Sequence, residues 1–248
     1  MDASSTTPLM PTEGPRSVNA DRGVAWWADA WALFMKQPGM WLVLGLLFIV
    51  AFGLLSVIPL LGQLLLPLAL PGLVGGWVLA TRKLQGGGTL EPGDILLGFK
   101  EPVMTPLLVL GGIALAAGVA MTAVMWMFGV GSVIGMAMGG AMGSTGGVLA
   151  ALGMGAVGLL LVLALSVPVA MAFWFAPTLV VVRGTAPIEA LKLSFQACLR
   201  NIVPMLLYGI LYFVASVIAS VPAMLGWLLL VPVSLLTLWT SYRDVFGD

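Results

Sequence analysis

The chain has 248 residues, 60% of them hydrophobic and 8% charged, with ten basic side chains, ten acidic ones and no histidine; its mean hydropathy is +1.12. A water-soluble fold has no means of hiding that much apolar surface, so the composition excludes a soluble domain and points to an integral membrane protein. Lack of histidine also removes the usual proton shuttle and the commonest metal ligand.

The charges are gathered into four clusters. Three stretches between them, Gln37 to Thr81, Pro102 to Val182 and Asn201 to Tyr242, carry no formal charge. Residues 1–22 come first; they are polar, contain proline and lack an apolar core, so they read as a disordered cytoplasmic tail and not as a secretory signal. Val24 to Phe34 then places Val24, Trp27, Trp31 and Phe34 at helical spacing, which predicts a helix lying in the headgroup plane with that face down.

At roughly 20 apolar residues per crossing, the first and third charge-free stretches each hold two spans and a tight turn. The second stretch is longer. It reads as two spans, Val103 to Phe128 and Val148 to Val181, around a Gly-rich outer loop from Gly129 to Gly147. The predicted fold is therefore an all-α membrane protein, with six transmembrane helices in three hairpins and short interfacial helices. With two spans in every stretch, all ten Lys and Arg residues face one compartment, which the positive-inside rule makes the cytoplasm. Both termini are then cytoplasmic, where the single cysteine, Cys198, stays reduced.

Three pseudo-repeats are expected, about 23–83, 91–183 and 186–244, within a domain covering 23–248. Each opens with an amphipathic stretch that leads to a basic residue and a proline: Lys36 to Pro38, Lys100 to Pro102, and Arg200 to Pro204. The second such stretch, Asp94 to Lys100, reads as a single turn. The third, Ala186 to Arg200, has Ile188, Leu191, Phe195 and Cys198 along one face. Prolines recur at matching offsets in the returning spans, Pro67 with Pro168 and Pro71 with Pro232, and Pro59 with Gly62 matches Pro222 with Gly226 at the outer turns. Trp77, Trp126, Trp239 and Tyr242 stand where interfacial aromatics anchor helices.

No ionisable side chain lies within a predicted span, so proton relays, voltage sensing and acid-base catalysis have no groups to use. The chain is not expected to be an enzyme or to hold a cofactor. Two weaker features remain. Tyr208, Tyr212 and Ser216 recur every four residues and would line a solute path, although contact between helices accounts for them as well. Met136, Met138 and Met142, in the predicted outer loop, are soft donors suited to Cu(I). Methionine is equally a filler of pliable apolar surface.

The segments Asp94 to Lys100, Ala190 to Phe195 with Arg200-Asn201, and Ser241 to Phe246 resemble a broad group of uncharacterised bacterial six-span inner-membrane proteins, similar to the membrane domain fused to some glycerophosphodiester phosphodiesterases. The resemblance implies an architecture in the bacterial inner membrane. It supplies no functional residue, and the phosphodiesterase active site would lie in a separate soluble domain. The leading expectation is a non-catalytic accessory or organising membrane protein, in contact with membrane lipids and with a membrane-protein partner or further copies of itself, and not with nucleic acid. The alternatives are a carrier or channel for a neutral, apolar or lipid-like solute, and Cu(I) handling by the outer methionines.

Overall fold

The computed structural model describes residues 14–59 and 61–247. Among these the regular structure is entirely helical: α1 (Arg22–Phe34), α2 (Pro38–Val57), α3 (Leu61–Gln85), a 3-10 helix (Pro92–Phe99), α4 (Met104–Ala141), α5 (Thr145–Trp174), α6 (Ala176–Arg183), α7 (Pro187–Arg200), α8 (Ile202–Ser220) and α9 (Trp227–Phe246). Prolines near the starts of α2, α6, α7 and the 3-10 helix fit first-turn positions whose N–H groups have no intrahelical partner. Gly184 and Gly247 close α6 and α9 in the left-handed conformation that a side chain would disfavour.

Five helical segments are long and apolar enough to cross a bilayer: α2, α3, α4, α5 continued by α6, and α8. The expected sixth span corresponds to α9, which falls outside that set. Its apolar run stops at Trp239, and its last turns carry Thr240, Ser241, Arg243 and Asp244. Leu236, Thr237 and Tyr242 are nonetheless fully buried, because α9 packs against α1, α2, α3 and α8. A helix enclosed by protein does not need an apolar surface on every side.

The Gly-rich outer loop predicted from Gly129 to Gly147 is not a loop. α4 continues to Ala141, and only Met142 to Ser144 separate it from α5. Glycines at four-residue intervals explain this: Gly131, Gly135 and Gly139 face Met154, Ala151 and Gly147 across the hairpin, so small residues form the seam between two closely apposed helices. The Ser132 hydroxyl donates to the Ala151 carbonyl at 2.7 Å across the same seam.

Other expectations change in the folded chain. Of the predicted tail, residues 1–13 lie outside the described residues, while residues 14–21 are bonded to the bundle. The Arg16 N–H donates to the Val245 carbonyl (2.9 Å), the Val18 N–H donates to Asn201 Oδ1 (2.8 Å), and Asn201 Nδ2 donates back to the Arg16 carbonyl (3.0 Å). The stretch predicted as a single turn at Asp94 is a 3-10 helix, held by Lys83 Nζ at 3.0 Å from Asp94. In α1 Trp26, Ala30 and Leu33 turn into the protein together with Phe34 and, in part, Trp27 of the predicted face, while Val24 and Trp31 stay exposed. α7 likewise buries its small residues Ala190, Ser194 and Ala197 and leaves Ile188 outside. Small side chains admit close helix crossings, so they take the protein side.

Of the predicted interfacial aromatics only Trp126 is exposed. Trp77, Trp239 and Tyr242 are buried, since α3 and α9 form the interior, and Trp77 stacks on Trp41 at 5.1 Å. The fourth span breaks at Phe175, ahead of Pro177, while α5 remains helical around Pro168. Ser194 repairs the break: its hydroxyl accepts from the Phe175 N–H (2.9 Å) and donates to the Met171 carbonyl (2.7 Å).

Candidate functional site

α3, α6 and α9 meet in the middle of the bundle, and α2 and α4 pack along its outside, on α9 and on α3 respectively. α8 is differently placed. It leans on α1 and α9 and touches α7 only slightly, and it is not packed along α5. Between α5, α7 and α8 lies an open groove of about 460 Å³.

Its walls come from Val167, Ala170, Met171 and Trp174 of α5, Cys198 and Leu199 of α7, and Ile202, Met205, Leu206, Tyr208, Gly209 and Tyr212 of α8. No charged side chain is among them, so the groove suits an uncharged, apolar occupant. At its α7 end, burial pushes the Cys198 thiol up to about 12, which leaves it protonated and unreactive. The indole N–H of Trp174 is buried without an acceptor among the described residues. Such a donor is costly unless something outside the fold accepts from it.

Two of the three residues predicted to line a solute path belong to this groove. Tyr208 is buried, accepts a hydrogen bond from the Thr237 hydroxyl (3.1 Å), stacks on Trp27 (5.3 Å) and meets Trp174 edge-on (5.1 Å). Tyr212 stacks on Tyr208 and Trp27. Ser216 is half-buried, donates to the Phe213 carbonyl (2.7 Å) and lies outside the groove. Trp174, Met171 and Gly209 escaped the sequence reading. Trp174 and Met171 sit far from Tyr208 in the chain, and Gly209 bears no side chain; no spacing rule connects them to the tyrosines.

The outer methionines sit at the far end of α4. At 100° per residue, Met138 and Met142 share one face and Met136 lies on nearly the opposite one. All three are exposed, and the helix separates donors that a flexible loop would have let converge. Among the described residues no group of three His, Cys, Asp or Glu side chains is placed to hold a metal ion.

Residues 33–243 match the family described as "Domain of unknown function (DUF7847)". Over 93% of its length the chain is 29% identical to a probable inner membrane protein of Burkholderia thailandensis, of which the match covers 93%. No solved structure matches it.

Proposed function

The chain belongs to the DUF7847 family, a domain of unknown function, and on that premise we propose that it is a non-catalytic inner-membrane protein that holds the acyl part of a lipid or lipid-like molecule between α5 and α8. In this reading six spans, with α9 the last, form three hairpins built from the repeats 23–83, 91–183 and 186–244. Every basic residue and both termini are cytoplasmic. The short surface elements support it. α1 lies on α8 and α9, the 3-10 helix on α2 and α3, and α7 on α5 and α6, so each lies under the hairpin of the unit before it, taken cyclically. The likeness to the membrane domain of some phosphodiesterases is carried no further than this architecture.

One observation carries the functional reading. In such a threefold arrangement the outgoing helix of each unit packs on the return helix of the preceding one; α2 on α9 and α4 on α3 do so, while α8 and α5 stand apart around the groove. Trp77, Leu179 and Leu236, one from each return helix, are buried, with Trp41 of α2 stacked on Trp77, which favours a lateral site over a pore along the axis. A groove opening sideways between spans takes its occupant from the bilayer.

Gly209 lines the groove, and a Cβ added there meets nothing within 4 Å. Gly209→Trp should therefore fill the site without disturbing the bundle. Native mass spectrometry of protein released from mild detergent should show a retained lipid on the wild type and about tenfold less on the variant. Equal retention by both, or none by the wild type, refutes the reading.

A further inference from the structure

We propose that the hairpin of α4 and α5 lies obliquely inside the bilayer, so that its far half, about Gly118 to Leu160, spreads away from the bundle and beds in the acyl chains and glycerol region of the leaflet opposite the basic residues. α4 has 38 residues, about 57 Å at 1.5 Å per residue, whereas α2 and α9 have 20 each, about 30 Å. The hydrocarbon core is also about 30 Å thick, so an upright α4 would carry its last turns roughly 25 Å beyond it. Past Gly111, which packs on Leu68 of α3, the buried residues of α4 and α5 are Gly139, Ala151 and Gly158, and all three lie in the seam between these two helices. The far half of the hairpin is therefore covered only by itself.

What surrounds that half has to be apolar on every side. At 100° per residue the exposed Met136, Val133, Trp126, Ile134 and Met138 point in successive directions around α4, leaving only the sector of Gly131, Gly135 and Gly139 that faces α5; Leu152, Leu160 and Leu161 do the same around α5. A protein partner would cover one such face and meet a polar rim, and water would need a polar face, but no Asp, Glu, Lys or Arg stands between Pro102 and Val182. The hydroxyls point the same way. Thr122, Ser132 and Ser166 donate to the carbonyls of Gly118 (2.9 Å), Ala151 (2.7 Å) and Leu163 (2.8 Å), so none of the three depends on water. Ser144 and Thr145 sit at the tip. Inclined by about 40°, a helix about 57 Å long rises about 44 Å, the thickness of a bilayer with its headgroup regions, and brings that polar tip to the surface. The exposed apolar surface also runs back to Leu108 and Val109 beside the bundle, so it continues the lipid-facing side of the same span. The inference is independent of the apolar groove.

The test uses the full chain carrying Cys198→Ala, in nanodiscs of phosphatidylethanolamine and phosphatidylglycerol, with a bimane fluorophore on a single new cysteine. Val133→Cys and Leu152→Cys place it on exposed positions of the far half, and Leu54→Cys places it on an exposed position of α2 as the reference for a side chain that faces lipid. Unchanged melting temperatures establish that each variant folds. Quenching by a phospholipid with a nitroxide on the fifth acyl carbon is compared with quenching by aqueous iodide. Lipid quenching at both hairpin sites of at least half that at Leu54→Cys supports the proposal. Anything less overturns it: strong iodide quenching in its place shows that the hairpin stands in water, and weak quenching by both agents shows that a partner protein or a second copy covers it. Lipid retention in the apolar groove, read through Gly209→Trp, does not depend on any of these outcomes.

Discussion

Gly98 sits in the 3-10 helix where it crosses α3, and an alanine there has nowhere to go. Its Cβ would lie 2.8 Å from the Gly76 nitrogen and closer still to the Gly72 carbonyl oxygen, both of them backbone atoms. Rotating a side chain cannot relieve that contact, so the 3-10 helix must lift away from α3 and loosen the Lys83–Asp94 ion pair beside it. Overpacking of this kind costs about 1–3 kcal/mol. Gly93, in the same short helix, provides the control, because a Cβ there meets nothing within 4 Å. Gly93→Ala should be neutral or gain roughly 0.4–1 kcal/mol through a stiffer unfolded chain. At about 2–4 °C per kcal/mol, the two variants should differ by several degrees in thermal unfolding in detergent. Melting within one degree of each other would refute the claim that backbone contact between these elements sets the limit.

Three further outcomes follow from side chains outside the spans. Asp244 accepts from Arg22 Nε and from Trp26 Nε1 (2.7 Å), joining α9 to α1, and this hydrogen-bonded carboxylate raises the Arg22 guanidinium above its usual value. Asp244→Asn should lower stability by about 1 kcal/mol, below the usual value for a charged hydrogen bond because both side chains are partly exposed. Asp29→Asn, which removes the more exposed partner of the same arginine, should cost less than about 0.5 kcal/mol in the same melt. Cys198, with its thiol held at about 12, should react with iodoacetamide at pH 8 about a thousandfold more slowly in the folded protein than in the unfolded chain, from thiolate fraction alone. Comparable rates would show that the α7 face is not buried against α5.

The membrane character was legible in composition alone, because uncharged apolar stretches of this length cannot be solvated in water. The helix starts at Pro38 and Pro187 were legible for the same local reason, since a proline fits where an N–H would go unpaired. The Gly129 to Gly147 segment was misread because glycine weakens an isolated helix, and only a partner helix shows that the spacing of Gly131, Gly135 and Gly139 forms a packing seam. The tyrosines of α8 were visible as a stripe. Whether a stripe faces lipid, protein or a groove depends on the neighbouring helix, and Trp174 meets Tyr208 only because the end of α5 comes against α8 in the folded chain.

Sequence by itself therefore determined that the chain is a membrane protein and where most of its apolar helices lie, since both follow from transfer free energies and backbone hydrogen bonding that act locally. Tertiary structure alone decided which seam between spans stays open and which aromatic side chains are interior. Those depend on contacts between residues far apart in the chain, and hydropathy, nearly uniform along spans such as these, carries no record of them.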